Sequence, residues 1–170
     1  MTADALTVLL DDAEVMVSVP DGATYTLPIG PGRLAAGPLR GDDPPPPASL
    51  TNALGLVQDH LDDLLIEAPS IATTSDVTVA GPHAEAMARV EIGAETIPDD
   101  YELSRVDADE VFRTLALESA DDRRHNPGLP EEHVESIIGT CCVILGIMRR
   151  LELSSVRVAV GAHRPGAENG

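Results

Sequence analysis

Residues 137–148 constrain the fold most, because this stretch contains no charged side chain and is apolar nearly all round. It follows the clearest turn in the chain, Asn-Pro-Gly-Leu-Pro at residues 126–130. The pattern predicts a long helix over about residues 131–151. A helix without a polar face must be surrounded by other elements. We therefore predict that this helix is the central element of the core.

Two glycines, Gly139 and Gly146, lie on one stripe of the predicted helix. Because glycine has no Cβ, the stripe would let another backbone approach closely. The sequence leaves two partners open for it. The stripe either packs against the chain's own sheet or offers a contact surface to a second protein.

The remaining hydrophobic pattern predicts a mixed α/β sandwich in the order β-β-β-α-β-α-α-α-β. An Asp-Gly turn at residues 21–22 joins the second and third strands. Residues 28–47 hold seven of the 14 prolines and are predicted to be a loop. Ser49 or Thr51 is expected to cap the first helix, and Asp107 a later one. The strands are predicted at residues 7–10, 14–19, 23–27, 76–80 and 156–160, and the other helices at 49–67, 82–90 and 107–117.

The charge of the chain excludes several classes of function. The formal net charge is −18, and all 11 basic residues are arginine. Nucleic acids and anionic membranes are recognised by basic side chains, so neither is expected as a partner. No apolar run is long enough to span a bilayer, and the first residues do not resemble a signal peptide. Adjacent Cys141 and Cys142 form no disulfide framework and are expected to be small buried residues. We expect a cytoplasmic protein.

Three stretches resemble the second half of the Ppx/GppA family of exopolyphosphatases and guanosine-pentaphosphate phosphohydrolases. The strongest is residues 127–151, with a Pro-Gly-Leu-Pro turn and a long apolar helix ending in Met-Arg. Within it, His133 stands where the family usually has Arg and Glu135 where it usually has Asp. Residues 27–34 are similar to a leucine-glycine-x-x-arginine-leucine segment, and residues 41–45 to an acidic-proline lead into a helix.

The resemblance implies one lobe of the ribonuclease-H-like fold of the actin, hexokinase and heat-shock ATPase superfamily. We predict that residues 1–160 form this single lobe and that residues 161–170 form a flexible tail. The family's other lobe, which supplies a further phosphate loop and the catalytic carboxylate, is not recognised in the chain.

This chain differs from the family at both phosphate-binding loops of the lobe that it resembles. The family has a glycine-rich loop between the first two strands, where this chain has Asp11, Asp12 and Glu14, which would repel a polyanion. A solvated hairpin end is the simpler interpretation of these acids than a Mg²⁺ site. The second loop keeps Gly81 but loses its hydroxyls. There, Pro82 removes one N–H from the helix terminus, and the carboxylate of Glu85 is expected to satisfy it.

The resemblance transfers four phosphate-binding positions to this chain: Gly30, Arg33, Gly81 and Arg164. No catalytic residue and no metal ligand is assigned, although His83 could still take part in chemistry. No cofactor is expected, except Mg²⁺ if the chain hydrolyses phosphate esters.

Three functions are compatible with these observations. The leading hypothesis is a non-catalytic relative of exopolyphosphatases that acts in binding or regulation. The alternatives are a phosphohydrolase completed by a separate first lobe, and an unrelated acidic α/β module that binds proteins. A lone lobe would leave its cleft-facing surface uncovered, so we also predict a protein partner or a homodimer. The nearly neutral last third of the chain is the expected contact region.

Overall fold

The structure, a computed structural model, describes residues 5–161. Its sheet has six strands in the order β3-β2-β1-β4-β6-β5. Neighbours β1–β2, β2–β3 and β5–β6 are antiparallel, whereas β1–β4 and β4–β6 are parallel. The strands are β1 (Leu6–Leu10), β2 (Val15–Ser18), β3 (Thr24–Leu27), β4 (Val77–Ala80), β5 (Glu102–Ser104) and β6 (Ser155–Val158).

Six α-helices accompany this sheet. They are α1 (Pro31–Ala36), α2 (Pro47–Glu67), α3 (Pro82–Ile92), α4 (Arg105–Ala116), α5 (Ala120–Arg123) and α6 (Ile137–Arg150). Burial alternates along β1, where Leu6 and Val8 are buried and Thr7 between them is exposed. Strand residues alternate between the two faces of a sheet, so one face carries the core. Within residues 5–161, no helix is long and apolar enough to cross a membrane.

Helix α6 is the central element, as the sequence predicts. Every residue from Ile137 to Met148 is buried, and α6 packs against α1, α2, α3 and α4. The predicted start at residue 131 is wrong, because a short 3-10 turn at Glu131–His133 precedes the helix. The Val134 carbonyl accepts a hydrogen bond from Nε of Arg123 at 3.1 Å. In a continuous α-helix, the Val134 carbonyl would instead accept a hydrogen bond from the backbone N–H four residues later.

The glycine stripe of α6 is covered by the chain's own helices. A Cβ on Gly139 would lie 2.6 Å from the carbonyl oxygen of Pro31 in α1. A Cβ on Gly146 would lie 2.6 Å from Cγ1 of Val57 in α2. The stripe thus sets the spacing between α6 and two helices, neither packing on the sheet nor facing a second protein.

Three regular elements of the structure are absent from the predicted order: α1, β5 and the four-residue helix α5. The predicted loop of residues 28–47 contains α1, because Pro31 suits the first turn of a helix and the Asp12 carbonyl accepts hydrogen bonds from Gly32 N and Arg33 N. Strand β5 adds a sixth strand by pairing with β6. Helix α1 and strand β5 are both held by contacts with residues far away in the sequence.

The predicted helix caps are also corrected. Helix α2 begins at Pro47 with Pro46 before it, so neither Ser49 nor Thr51 is the capping residue. Helix α4 is capped by Ser104, whose Oγ accepts from the backbone N of Asp107 at 3.0 Å. The hairpin turn at residues 21–22, the strands around it and α3 agree with the predictions. Of the predicted tail, residues 162–170 lie outside the described residues.

Candidate functional site

The candidate site lies where β1 and β4 end. These strands are parallel neighbours, with Leu9 opposite Ala80, so their carboxyl ends share one edge of the sheet. Ligands of α/β sheets bind in the crevice at the carboxyl ends of the strands. Here Asp11 and Asp12 follow β1, and Gly81 follows β4.

His83 links three elements at this edge. Its ring is buried in the first turn of α3, with Nε2 3.3 Å from Oδ1 of Asp12 and Nδ1 3.4 Å from Oγ of Ser136. Burial lowers the pKa of His83, against the opposing pull of the Asp12 and Asp11 carboxylates. In the neutral tautomer that carries its proton on Nε2, the ring donates a hydrogen bond to Asp12 and its Nδ1 accepts one from the Ser136 hydroxyl.

The Ser136–His83–Asp12 series is not a nucleophilic triad. The Asp12 side chain is 76% exposed, whereas Ser136 is only 6% exposed. A serine nucleophile has to meet its substrate, and here the serine lies at the closed end of the series. What the arrangement can do is hold an exposed carboxylate in place and pass a proton to or from it.

His133 lies against His83. Their ring centroids are 4.7 Å apart and the planes meet at 76°. Burial, and then the neighbouring His83, lower the pKa of His133. Its Nδ1 is buried and has no hydrogen-bond partner among the described residues. The sequence singles out both histidines but does not bring them together, because they are far apart in the chain and share no local motif.

The predicted phosphate-binding positions Gly30 and Arg33 are brought to this edge, but they face the β1–β2 hairpin. The backbone N of Gly30 donates to the Ala13 carbonyl at 3.2 Å. The Asp12 carbonyl accepts from Gly32 N at 2.8 Å and from Arg33 N at 3.2 Å. The Arg33 side chain donates from Nε to the Ala13 carbonyl at 3.0 Å. Four donors of this segment are therefore occupied by hairpin carbonyls.

Gly81 lies at the same edge and is required by its backbone. Its φ is +104°, and a Cβ there would lie 2.9 Å from the carbonyl oxygen of Leu10. This close approach holds the start of α3 against the end of β1. Glu85 lies in the first turn of α3, as expected, but its side chain does not hydrogen-bond to that terminus. Its carboxylate instead accepts from Gly161 N at 2.9 Å and from Arg89 Nη2 at 3.3 Å.

The fourth predicted position, Arg164, lies outside the described residues. Within residues 5–161, no three His, Cys, Asp or Glu side chains are placed to share a metal ion. Cys141 and Cys142 are free, fully buried thiols, as expected. Burial raises the pKa of both, that of Cys142 to about 12. Neither thiol is suited to act as a nucleophile at neutral pH.

No protein-family model matches the chain, and no curated protein sequence matches it significantly. Solved structures do match. An exopolyphosphatase-like protein superimposes with a TM-score of 0.81 at 18% identity, over 92% of this chain and 54% of that one. The Ppx/GppA phosphatase of Aquifex aeolicus gives a TM-score of 0.81 at 13% identity, over 91% and 52%. An exopolyphosphatase from Cytophaga hutchinsonii gives 0.71 at 16% identity, over 91% and 52%.

These matches confirm the predicted fold. The chain has the ribonuclease-H-like, actin-like architecture of one Ppx/GppA lobe and spans about half the length of the structures it matches.

Proposed function

We propose that this chain is a single-lobe relative of the Ppx/GppA exopolyphosphatases that acts by binding or regulation and not by catalysis. Two independent observations support the relationship: the match in fold to half of such structures, and the Pro-Gly-Leu-Pro turn followed by an apolar helix ending in Met-Arg. On this proposal the chain is a pseudoenzyme that keeps the scaffold of a phosphohydrolase.

The hydrogen bonds of Gly30, Gly32 and Arg33 carry the proposal. A phosphate group is held by backbone N–H groups and a cation that converge on it. In this chain those donors already bond to the carbonyls of Asp12 and Ala13. The exposed Asp12 carboxylate, which lies against Gly32, adds negative charge at the same place. A polyphosphate would meet acceptors where it needs donors.

The Asp12–His83 pair supports only part of a hydrolytic mechanism. A carboxylate held by an imidazole can accept a proton from water. Transfer of a phosphoryl group also needs fixed positive charge around its oxygens. Arg33 is the arginine among the predicted phosphate-binding positions that the structure describes. Its Nε donates a hydrogen bond to the Ala13 carbonyl. The Asp12–His83 pair by itself therefore supplies proton transfer and not the charge stabilisation that a phosphohydrolase also needs.

A turnover assay tests the proposal. The purified chain is incubated with polyphosphate and with guanosine pentaphosphate in the presence of Mg²⁺, beside Asp12→Asn as a matched variant. We expect no turnover above buffer for either protein. Turnover that survives repurification and is lost in Asp12→Asn would overturn the proposal, because a contaminating phosphatase would not depend on Asp12.

A phosphohydrolase completed by a separate first lobe is the second candidate. It is favoured by the first turn of α3, which has no side-chain cap and lies beside the exposed Asp12 carboxylate that contacts the buried His83. Mg²⁺ would then be required. Adding a separately encoded first-lobe polypeptide to the turnover assay distinguishes the two candidates, since only the completed enzyme gains activity. The three-stranded meander β1–β3 and the fold match argue against a wholly unrelated acidic module.

We also propose a cytoplasmic protein that has a protein partner or forms a homodimer. Two unpaired, buried thiols suit a reducing compartment. The covered glycine stripe of α6 is not the contact surface, so the contact would use other residues of the nearly neutral C-terminal third. Light scattering at micromolar concentration tests the association, and a strict monomer that recovers no partner would contradict it.

A further inference from the structure

A cavity of about 180 Å³ opens between α1, the loop that follows it, α5 and the start of α6. None of the residues around His83 described above lines it. Its charged lining consists of Arg40, Asp42, Asp43, Arg123 and Glu135. Bases and acids thus line the same small space.

Arg123 brings a buried charge to this cavity. Arg123 is only 4% exposed. Its guanidinium donates from Nε to the Val134 carbonyl at 3.1 Å and from Nη1 to the Glu118 carbonyl at 2.7 Å. Among residues 5–161 it forms no ion pair, and its Nη2 makes no hydrogen bond. A buried cation is costly unless a negative group compensates it. The unoccupied end of this guanidinium therefore favours a carboxylate or a similar anion.

None of the three acids that line the cavity forms an ion pair with Arg123 in the described part of the chain. Asp43 uses both oxygens to accept from the backbone N of Ala120 at 3.0 Å. The exposed Asp42 and Glu135 have no hydrogen bond or ion pair within the described part of the chain. Opposite charges that line one cavity without touching leave a gap, which a molecule carrying both charges would bridge.

The size and the apolar lining of the cavity restrict the choice of ligand further. The cavity is smaller than the roughly 300–1,000 Å³ of pockets that hold drug-sized ligands, so it suits a small molecule. Ala35, Leu39 and Ile138 add an apolar wall that suits a short aliphatic side chain. The acids would repel inorganic phosphate, which carries no compensating positive group.

From these observations we infer that the cavity binds a small zwitterionic α-amino acid, with its carboxylate on Arg123 and its ammonium group on Asp42 and Glu135. The carboxylate completes the charge-assisted hydrogen bonding of the buried guanidinium. This inference extends beyond the proposed function, because it uses neither the edge around His83 nor phosphate chemistry.

Nuclear magnetic resonance titration of the ¹⁵N-labelled full chain tests the inference. L-alanine is the probe, and each half of it is supplied separately as propionate and as ethylammonium, with inorganic phosphate as a fourth arm. We expect saturable shifts around Gly41 and Arg123 with L-alanine. Each half-ligand should bind at least about tenfold more weakly, since it loses one charged end.

Exposed acids supply variants that should fold. Asp42→Asn and Glu135→Gln should each weaken L-alanine binding several-fold, whereas Glu132→Gln, which lies outside the cavity, should not. Absence of saturable shifts with L-alanine overturns the inference. Equal affinity for propionate or phosphate also overturns it, because the cavity would then recognise an anion without the ammonium group.

Discussion

The imidazole rings of His83 and His133 meet edge to face, with centroids 4.7 Å apart, beneath the carboxyl ends of β1 and β4. Both side chains are buried, at 7% and 8% exposure. His83 belongs to α3 and His133 to the turn before α6, so the contact joins two parts of the helical layer. Protonation of either ring would place a poorly solvated charge against the other.

The histidine pair predicts a loss of stability in mild acid. Burial lowers the pKa of both histidines in the folded protein, whereas in the unfolded chain a histidine has a pKa of about 6.5. As the pH falls below 6.5, the unfolded state takes up protons first, so the free energy of unfolding decreases. Each histidine can contribute at most about 1.4 kcal/mol per pH unit. Urea denaturation at several pH values between 7 and 5 measures this dependence.

Two variants separate the pair from other acid effects. His133→Gln should make the dependence on pH shallower, and His60→Gln in α2 should leave it unchanged. An equal slope in the wild type and in His133→Gln would show that the pair does not control acid stability.

Gly139 and Gly55 give a matched pair of glycine substitutions. A Cβ on Gly139 would lie 2.6 Å from the Pro31 carbonyl oxygen, whereas a Cβ on Gly55 meets nothing within 4 Å. Gly139→Ala should therefore force α1 and α6 apart and cost about 1–3 kcal/mol. Gly55→Ala should stabilise the protein by about 0.4–1 kcal/mol, because it lowers the entropy of the unfolded chain. Denaturant midpoints compare the two, and a midpoint for Gly139→Ala at or above the wild-type value would contradict the close packing.

Truncations in α6 test whether this helix organises the core. Ile138 and Leu145 are 3% and 0% exposed. Ile138→Ala and Leu145→Ala should each lower the free energy of unfolding by about 2–5 kcal/mol. Ile66→Ala is the control, since Ile66 is 79% exposed in α2 and should change stability by less than about 0.5 kcal/mol. Near-wild-type midpoints for both α6 variants would place the helix at the surface.

The two cysteines should be protected in the folded state. Burial raises the pKa of Cys141 and Cys142, so little thiolate is present at neutral pH. A thiol reagent should react with neither until the protein unfolds, and the rate should rise with denaturant. Rapid stoichiometric labelling of the native protein would disagree with their position inside α6.

Hydrophobic patterns predicted those elements whose burial follows their own periodicity. The central position of α6 follows from its lack of charged residues, and the β2–β3 hairpin follows from an Asp-Gly turn between two predicted strands. Helix α1 could not be predicted in this way. It is only six residues long and begins at a proline. Its first N–H groups donate to the backbone carbonyl of Asp12, which lies about 20 residues earlier in the chain.

The sequence indicated several residues of the candidate site but not the atoms with which they form hydrogen bonds. Gly30, Arg33 and Gly81 all lie close to the segment that follows β1, and their role in phosphate binding stays a prediction. The donors of Gly30 and Arg33 form hydrogen bonds to the carbonyls of Ala13 and Asp12. These bonds depend on how the β1–β2 hairpin packs against α1, which no local motif encodes. The contact between His83 and His133 also arises only when α3 and the turn before α6 pack together.

The central claim is that hydrogen-bond donors at the predicted phosphate-binding segment, residues 30–33, are already occupied within the chain. A titration of the ¹⁵N-labelled chain with tripolyphosphate tests it most directly, by following the amide signals of Gly30, Gly32 and Arg33. These signals should show no saturable shift, because their N–H groups donate to Asp12 and Ala13. A saturable shift centred on these three amides would contradict the claim.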